Sequence, residues 1–404
     1  MNMLRVGLIG AGFVGPAHVE AVRRLGYVQV LALAGSNARR AREKADQLGI
    51  PEACGDYRML LASPRITVVH NATPTDVHLA INRDALQAGK HVISEKPLAL
   101  TSDEARQLVD LARETGLVNA VDFNYRGYPL VQQMRAMVAR GEIGQVRLVH
   151  GSYLQDWLMY PSDYNWRVLP ERGGPSRAVA DIGSHWFDLA QWITGARITR
   201  VMGRLATLIP TRLRPLEEVE AFAQPAEGPR QEIQVQTEDY ASVLFDLEGG
   251  ATGAVTLSQV SGGRKNRLWI EVDGTEGSLA WNQEQPDELW IGRRGQANHI
   301  LHRDPALLDP QAVHGKRLPP GHIEGWTDSL YNLMADIYEF IRTGKNPLVD
   351  PTSFPTFRDG LVENILIEAI LESDRRQGWV EVPAVEETRP PEPVISPPHE
   401  RSGW

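Results

Sequence analysis

The sequence predicts an α/β N-terminal domain with a parallel sheet, followed by an α+β domain with a large, mostly antiparallel open sheet. Residues 4–121 alternate short apolar runs with helical patterns, which indicates parallel strands joined by helical crossovers. After about residue 124, strand patterns follow one another and are separated by glycine-containing turns, which is typical of antiparallel neighbours. A length of 404 residues also suits two domains better than one.

The N-terminal elements follow from apolar periodicity. Strands are predicted at Leu4–Ile9, Val28–Ala34, Ile66–Asn71, His91–Ser94 and Val118–Val121. Helices are predicted to begin near Pro16, Ala38, Val77 and Asp103. In a sheet of this kind the ligand lies at the carboxyl ends of the strands, so the loops that follow them are expected to converge on one crevice.

The C-terminal elements are predicted in the same way. They are a helix at Pro129–Arg140, a strand at Gln145–Tyr153, a helix from near Asp181, strands at Tyr240–Leu247, Thr252–Gln259, Arg267–Asp273 and Gly277–Asn282, and a helix at Pro351–Gln377. The segment Pro210–Glu232 is predicted to be an inserted loop because it is rich in proline and glutamate.

The predicted domain limits are a dinucleotide-binding domain at 1–123, a substrate and oligomerisation domain at 124–380, and a proline-rich, disordered tail at 381–404. An open sheet with helices on one face leaves its other face uncovered. We therefore expect a homodimer or homotetramer that forms through this C-terminal sheet.

Composition excludes several functional classes. The net charge of −9 disfavours nucleic acid and anionic membranes as partners, because both require a basic surface. No apolar run has the length of a membrane helix, and the first strand begins too early for a signal peptide, so a cytoplasmic location is expected. Cys54 is the only cysteine, and the histidines at 299, 302, 314 and 322 lack partners at ligand spacing, so no metal site is predicted.

A glycine-rich motif lies between the first strand and the first helix. It reads Gly10-Ala11-Gly12-Phe13-Val14-Gly15, the G-x-G-x-x-G pattern of dinucleotide sites. Gly10 permits the tight turn, Gly12 lets the backbone approach a pyrophosphate, and Gly15 allows the helix to pack closely on the strand. The phosphates are then expected at the helix N-terminus.

Two further motifs carry groups suited to acid/base chemistry. Glu95-Lys96-Pro97 follows the strand at His91–Ser94 and offers a lysine to a bound nucleotide. In the segment that begins at Asp181, the residues Asp181, His185 and Asp188 have the spacing i, i+4 and i+7, which predicts one shared helix face. A histidine beside a carboxylate can accept a proton while a lysine binds the reacting oxygen. Alternatively, Asp181 serves only as a helix N-cap and His185 lies on a polar face.

Together, Gly10-x-Gly12-x-x-Gly15, Glu95-Lys96-Pro97 and Asp181-x-Gly183-x-His185 resemble the glucose–fructose oxidoreductase/inositol dehydrogenase (Gfo/Idh/MocA) family over about residues 4–380. The resemblance implies a Rossmann domain followed by an α/β domain, and hydride exchange between a nicotinamide and a sugar or polyol. It also implies that Lys96 is the catalytic lysine, Asp181 a substrate-site carboxylate and His185 the proton acceptor. By the same resemblance, Thr73, Pro74, His78, Glu95 and Asn124 lie along the cofactor and Arg126 lies at the domain junction, near the substrate.

Two other functions are compatible with the same motifs. One is an NAD-dependent glycoside hydrolase of this fold, and the other is a nucleotide-sensing regulator without catalysis. The presence of Lys96, Asp181 and His185 together favours the dehydrogenase over the regulator.

The segment after the second strand bears on the choice between NAD and NADP. An NAD site usually places an acidic residue here, but the sequence reads Gly35-Ser36-Asn37-Ala38-Arg39-Arg40. Ser36, Asn37 and Arg40 are suited to a 2′-phosphate, so NADP is favoured over NAD. The alternative is an NAD site in which the arginines are solvated helix residues.

An aromatic segment is the candidate for sugar binding. Asp156, Trp157 and Trp166 lie within Asp156–Arg167, and sugars are held by aromatic faces together with fixed polar groups. Each tryptophan could equally belong to the core or to a subunit contact. A second candidate, Gly321–Trp326, precedes a helix.

Overall fold

A computed structural model of the protein describes residues 3–216, 228–313 and 318–385. The N-terminal sheet has six strands in the order β3-β2-β1-β4-β5-β6, and every neighbouring pair is parallel. Its strands are β1 (Leu4–Ile9), β2 (Val28–Ala34), β3 (Glu52–Cys54), β4 (Val68–Asn71), β5 (His91–Ser94) and β6 (Asn119–Val121). Its crossover helices are α1 (Gly15–Arg23), α2 (Ala38–Gln47), α3 (Tyr57–Leu61), α4 (His78–Gln87) and α5 (Ser102–Thr115).

This sheet confirms the predicted fold of the N-terminal domain. β3 and α3 are not predicted from sequence, because three strand residues and five helix residues are too few to show a hydrophobic period. The longest of these helices, α5, has clear local signals at both ends. The Thr101 side chain accepts a hydrogen bond from the Glu104 amide at 3.2 Å, and Gly116 ends the helix at φ +64°.

The second sheet has nine strands in the order β16-β15-β14-β13-β7-β12-β11-β8-β17. Its strands are β7 (Val146–Leu154), β8 (Ile198–Ala206), β11 (Tyr240–Leu247), β12 (Thr252–Ser258), β13 (Arg267–Gly274), β14 (Ser278–Asn282), β15 (Glu288–Gly292), β16 (His299–His302) and β17 (Val380–Glu381), while β9 (Thr211–Pro215) and β10 (Arg230–Gln234) form a separate hairpin. Only β7 and β12 are parallel among its neighbouring pairs. The predicted, mostly antiparallel open sheet is therefore confirmed.

The helices of this half are α6 (Pro129–Ala139), α7 (Pro170–Gly173), α8 (Ser184–Thr194), α9 (Trp326–Arg342) and α10 (Phe357–Arg376). Strand β11 shows how they cover the sheet, since its alternate residues Ala241, Val243, Phe245 and Leu247 are buried while Leu244 is 49% exposed. The helices thus cover one face, and the other face has no covering element among the described residues.

The segment predicted to be an inserted loop, Pro210–Glu232, is partly ordered. Its ends pair as β9 and β10, while residues 217–227 lie outside the described part. The hairpin is held by Arg212, which is fully buried and contacts Asp239 at 2.8 Å. Sequence composition does not reveal such a long-range ion pair. The predicted disordered tail, 381–404, is wrong at its start, because Glu381 belongs to β17 and Val382 is buried, and residues from 386 onward lie outside the described part.

Helix α9 joins the two halves of the chain. Although it follows the second sheet in sequence, its buried residues Leu333, Met334 and Ile337 belong to the same hydrophobic cluster as Val19 and Val22 of α1. The predicted limits of 1–123 and 124–380 therefore describe chain order, while in space α9 packs on the N-terminal domain. No helix among the described residues is both long and apolar enough to cross a membrane.

Candidate active site

A cavity of about 1590 Å³ lies between the carboxyl ends of β1, β2, β4 and β5 and the C-terminal domain. This volume exceeds the ~300–1,000 Å³ of a typical small-ligand site, so it can hold a dinucleotide together with a small substrate. The predicted residues that line it are Gly10, Gly12, Phe13, Val14, Ser36, Arg40, Thr73, Pro74, Glu95, Lys96, Asn124, Asp156, Trp157, Trp166, Asp181 and His185.

The glycine loop has the shape that a dinucleotide needs. Gly10 has φ +89°, and a Cβ there would lie 2.6 Å from the Ala72 carbonyl oxygen. A Cβ on Gly15 would lie 2.8 Å from the Gly10 oxygen, so this position holds the helix against the loop. A Cβ on Gly12 would meet nothing within 4 Å, which shows that this backbone is open toward the cavity. The loop therefore fits a pyrophosphate at the start of α1.

The residues after β2 divide into two groups. Ser36 and Arg40 line the cavity. Asn37 instead caps α2, because its Oδ1 accepts hydrogen bonds from the amides of Arg39 at 2.9 Å and Arg40 at 3.2 Å. The Arg39 guanidinium pairs with Glu43 at 2.9 Å on the exposed side of the helix.

Lys96 is held by Asp181, a contact that the spacing of the two motifs in the sequence does not predict. Its Nζ donates to the Asp181 carbonyl oxygen at 2.7 Å and to Oδ1 of the Asp181 carboxylate at 2.9 Å. Arg167 Nε lies 3.0 Å from the same Oδ1, and Gln259 Nε2 donates to Oδ2 at 2.8 Å. Burial disfavours the charged carboxylate, but Lys96 and Arg167 outweigh burial and hold the pKa of Asp181 well below its usual range.

His185 lies beside this ion pair in the cavity wall. Its ring packs edge-on against Tyr125, with 4.8 Å between centroids, and its Nδ1 has no hydrogen-bond partner. Burial, followed by the charge of Lys96, lowers the pKa of His185 well below its ordinary value. The ring is therefore neutral at physiological pH and able to accept a proton.

A short π-helix explains how Asp181 and His185 come to line the same cavity. It spans Val179–Gly183 and runs directly into α8. Its start is held by Glu238, whose Oε1 accepts from the Ser176 hydroxyl at 2.7 Å and from the Arg177 and Val179 amides at 2.9 Å. Such turns occur frequently at functional sites. The prediction that Asp188 shares the face of Asp181 and His185 is wrong, since Asp188 turns toward Arg126.

Arg126 does not line the cavity, so the predicted contact with substrate does not fit its position. The residue is only 5% exposed. Its guanidinium is paired with Asp188, because Arg126 Nε donates to Asp188 Oδ2 at 2.8 Å. It also contacts Asp359 at 3.0 Å and packs over the Trp192 ring. Arg126 therefore forms a buried ion-pair cluster between α8 and α10.

His78 also lies behind the cavity wall. Its Nδ1 is 2.9 Å from the Pro97 carbonyl oxygen and its Nε2 is 2.9 Å from the Thr73 carbonyl oxygen. It therefore joins the loop that follows β4 to the loop that carries Lys96. The Lys96–Pro97 peptide bond is cis.

Several side chains of the site were not singled out from sequence. Arg167 and Gln259 hold Asp181, while Tyr125, Tyr153 and Asn266 form a hydrogen-bonded wall of the cavity. The two tyrosine hydroxyls are 2.6 Å apart, and Asn266 Oδ1 accepts from Tyr153 at 2.7 Å. The available signal for Arg167 was its place in the aromatic segment, and for Gln259 its place at a strand end.

The predicted aromatic residues line the same cavity. Trp157 donates from Nε1 to Gln155 at 2.8 Å, and Asp156 accepts from Lys265 at 2.7 Å. Trp166 carries the Arg167 guanidinium 4.4 Å from its ring centroid. Trp326, at the start of α9, also lines the cavity and lies near Phe13 of the glycine loop.

Comparison with known proteins identifies the family. Residues 4–123 match the model for the oxidoreductase family with an NAD-binding Rossmann fold, and residues 131–280 match the GFO/IDH/MocA C-terminal domain. Levoglucosan dehydrogenase of Pseudarthrobacter phenanthrenivorans is 33% identical over 401 residues, which cover 95% of this chain and all of that protein. The chain belongs to the GFO/IDH/MocA oxidoreductase family. The family resemblance, the fold and the oxidoreductase class predicted from sequence are thereby confirmed.

Solved structures agree with this membership. Levoglucosan dehydrogenase in complex with NADH and levoglucosan has a TM-score of 0.85 at 31% identity, covering 95% of this chain and all of that chain. An inositol dehydrogenase homologue from Azotobacter vinelandii, in complex with NADH and myo-inositol, has a TM-score of 0.81 at 30% identity, covering 94% and 98% respectively. The residues of the glycine loop and the family match both support a nicotinamide dinucleotide in this GFO/IDH/MocA protein.

Proposed function

We propose that this protein exchanges a hydride between a nicotinamide dinucleotide and a hydroxyl group of a sugar or polyol. The observation that carries the proposal is the placement of Lys96, Asp181 and His185 in the same cavity as the glycine loop. The ligands of the two solved relatives, levoglucosan and myo-inositol, support the substrate class.

The roles of the side chains follow from their contacts. A bound nicotinamide supplies the hydride transfer. Lys96 donates from Nζ to the reacting oxygen and stabilises the negative charge that develops there. His185, neutral and without a partner at Nδ1, accepts the hydroxyl proton. Asp181, held by Arg167 and Gln259, keeps the ammonium of Lys96 at a fixed position.

For the cofactor we propose NADP. Arg40 and Ser36 line the cavity at the end of β2, and no acidic residue lies between Ala34 and Arg40 to bind ribose hydroxyls. A guanidinium suits a 2′-phosphate, because a charge-assisted hydrogen bond to phosphate is stronger than one between neutral groups. NAD remains the alternative, since the solved relatives named above hold NADH.

The decisive experiment is a titration of the purified protein with NADPH and NADH, followed by nicotinamide fluorescence, and then a screen of sugars and polyols. Tighter binding of NADPH and reduction of nicotinamide by a sugar are the expected results. Tighter binding of NADH would indicate that the arginines of α2 are solvated and do not bind the cofactor. Release of sugar from a glycoside without accumulation of reduced nucleotide would contradict the dehydrogenase, and so would binding without turnover of any sugar or polyol.

We also propose that a second copy of this chain covers the open face of the nine-stranded sheet. Leu244 and Met202 are 49% and 37% exposed, although their strands β11 and β8 bury the alternate residues, and Ile300 of β16 is 54% exposed. Light scattering is expected to show a dimer or tetramer, and Leu244→Asp is expected to shift it toward monomer. A monomeric wild-type protein would contradict this proposal. A cytoplasmic location remains a prediction from sequence.

A further inference from the structure

A line of buried polar side chains runs from the cavity wall into the N-terminal domain, directly behind Lys96. Glu95 Oε1 lies 3.0 Å from His18 Nε2. His18 Nδ1 lies 2.8 Å from His70 Nδ1, and His70 Nε2 lies 2.7 Å from the Tyr338 hydroxyl. All four side chains belong to buried residues, and Tyr338 is part of α9. Hydrogen bonds therefore connect α9 to the residue that precedes Lys96.

A second carboxyl group meets Glu95 at the cavity end of this line. Asp122, which follows β6, forms a cluster with Glu95 and His18 in which one polar atom of each side chain lies within 4.8 Å of the others, and its Oδ2 is 3.6 Å from His18 Nε2. Two neighbouring buried carboxyl groups favour a proton on one of them. Burial and the charge of Glu95 raise the pKa of Asp122, whereas the donor from His18 outweighs burial and lowers the pKa of Glu95. Asp122 therefore holds the proton and Glu95 holds the charge.

The direction of the remaining hydrogen bonds follows from that charge. Burial lowers the pKa of His70 well below its usual range, so its ring is neutral. The Tyr338 hydroxyl then donates to His70 Nε2, His70 Nδ1–H donates to His18 Nδ1, and His18 Nε2–H donates to Glu95. With one proton on the His18 ring, every donor in the line points toward Glu95. Protons on both nitrogens of His18 would reverse the bonds to His70 and Tyr338 but would still leave His18 Nε2–H donating to Glu95.

We propose that Glu95 is a positioning residue for Lys96 and that its carboxylate is itself held in place by the ring of His18. The Lys96 peptide N–H donates to Glu95 Oε2 at 3.4 Å, and the Lys96 ammonium donates to Asp181. The lysine is thus fixed at its backbone end by Glu95 and at its charged end by Asp181. This inference rests on the proposed function, because Lys96 acts on substrate only in that reaction.

The same cluster has the spacing of a metal site. One ligand atom from each of His18, Glu95 and Asp122 lies within 4.8 Å of the others. Both ring nitrogens of His18 already face partners in the line, and the ammonium of Lys96 beside the cluster opposes a second cation. We therefore interpret this cluster as hydrogen-bonded side chains without a metal ion. The experiment includes a chelator to test this interpretation.

The test compares His18→Leu with His18→Gln. The glutamine is the matched control, because its amide N–H can replace the donor to Glu95, whereas leucine removes it. The charged and titratable groups that face Glu95 are His18 of α1, His70 of β4, His78 of α4, Asp122 after β6, Lys96, and His185 of α8. The measurements are kcat and KM against pH at saturating cofactor, with nicotinamide fluorescence for binding.

Removal of the donor raises the pKa of Glu95, so the carboxylate is lost at a higher pH as the solution is acidified. kcat at saturating cofactor is expected to be about tenfold lower in His18→Leu than in His18→Gln, from the strength of a hydrogen bond to a charged group, while KM for the sugar changes less than about threefold. His185 is present in both variants, so its titration does not produce the difference. Glu95→Gln is expected to lower kcat about tenfold or more while cofactor affinity changes less than about threefold.

Equal kcat values for His18→Leu and His18→Gln would overturn the inference, as would a wild-type rate that a chelator abolishes and a divalent metal restores. ¹⁵N NMR of the histidine rings needs no turnover, so it tests the hydrogen-bonded line even if the proposed function is wrong. The expected spectrum shows His18 protonated at Nε2 and His70 at Nδ1, with both changed in Glu95→Gln. A proton on Nδ1 of His18 would contradict the direction of the line even in a protein without activity.

Discussion

Lys96 and Asp181, which are 85 residues apart in the chain, are joined by two hydrogen bonds from one ammonium group. One goes to the carboxylate and the other to the backbone carbonyl of Asp181. The first residue follows a strand of the N-terminal sheet and the second lies in the π-helix of the C-terminal domain. The contact therefore links the two domains at the wall of the cavity.

Removal of the ammonium is expected to abolish most catalysis without loss of cofactor. In Lys96→Met the aliphatic stem remains, but the donor to the reacting oxygen is absent, so kcat/KM is expected to fall about 10²-fold or more. The matched control is Lys265→Met, the same change at a lysine of the cavity rim whose side chain is 78% exposed. Steady-state kinetics and fluorescence titration measure both variants. Comparable losses in the two would contradict the assigned role of Lys96.

The pH dependence of the reaction tests the state of His185. Burial and the charge of Lys96 lower the pKa of His185, so the neutral base persists below the ordinary histidine value of about 6.5. Oxidation of the sugar is therefore expected to keep a constant kcat/KM as the pH falls through that value. In Lys96→Met the charge is gone, the pKa of His185 rises, and the acid limb of the residual activity is expected to move to higher pH. An acid limb that does not move would show that the charge of Lys96 does not affect the pKa of His185.

Cofactor selection can be tested within one helix. Arg40→Ser is expected to weaken NADPH binding about tenfold relative to NADH, since a charge-assisted contact to phosphate contributes about 1.5–3 kcal/mol. Arg39→Ser is the control, because Arg39 is adjacent in sequence, does not line the cavity and pairs with Glu43. Fluorescence titrations with both nucleotides give the ratio. Equal ratios in the two variants would indicate that Arg40 has no role in the choice of nucleotide.

The N-terminal sheet was predictable from sequence because its signals are local. A few consecutive residues are enough to predict the strands β1 and β2, the glycine loop and the loop that carries Lys96. The candidate site was predictable only in part. Lys96, Asp181 and His185 do line one cavity, but the contacts that hold Asp181 come from Arg167 and Gln259, which are far apart in the chain.

The failures have a common physical cause. Arg126 was expected near the substrate, yet it pairs with Asp188 and Asp359, a choice that depends on the packing of α8 against α10. Asp188 lies in α8 and contacts Arg126 instead of the cavity, and no periodic pattern in the sequence predicts the π-helix that precedes α8. The attachment of α9 to α1 likewise depends on tertiary packing. Sequence periodicity identifies a buried face but does not identify what covers it.

The Arg126 cluster leads to a prediction about stability. Asp188→Ala leaves the buried guanidinium with the Asp359 carboxylate, and loss of one partner of a buried ion pair typically costs about 3–5 kcal/mol. The free energy of unfolding is therefore expected to fall by about that amount in urea titrations. The control is Glu43→Ala, which removes the partner of Arg39, a side chain that is 75% exposed, and is expected to cost about 0–1 kcal/mol for the ion pair. The double variant Arg126→Met/Asp188→Leu replaces charges by apolar groups and is expected to recover much of the loss. A double variant less stable than Asp188→Ala alone would show that Arg126 contributes mainly through its packing on Trp192.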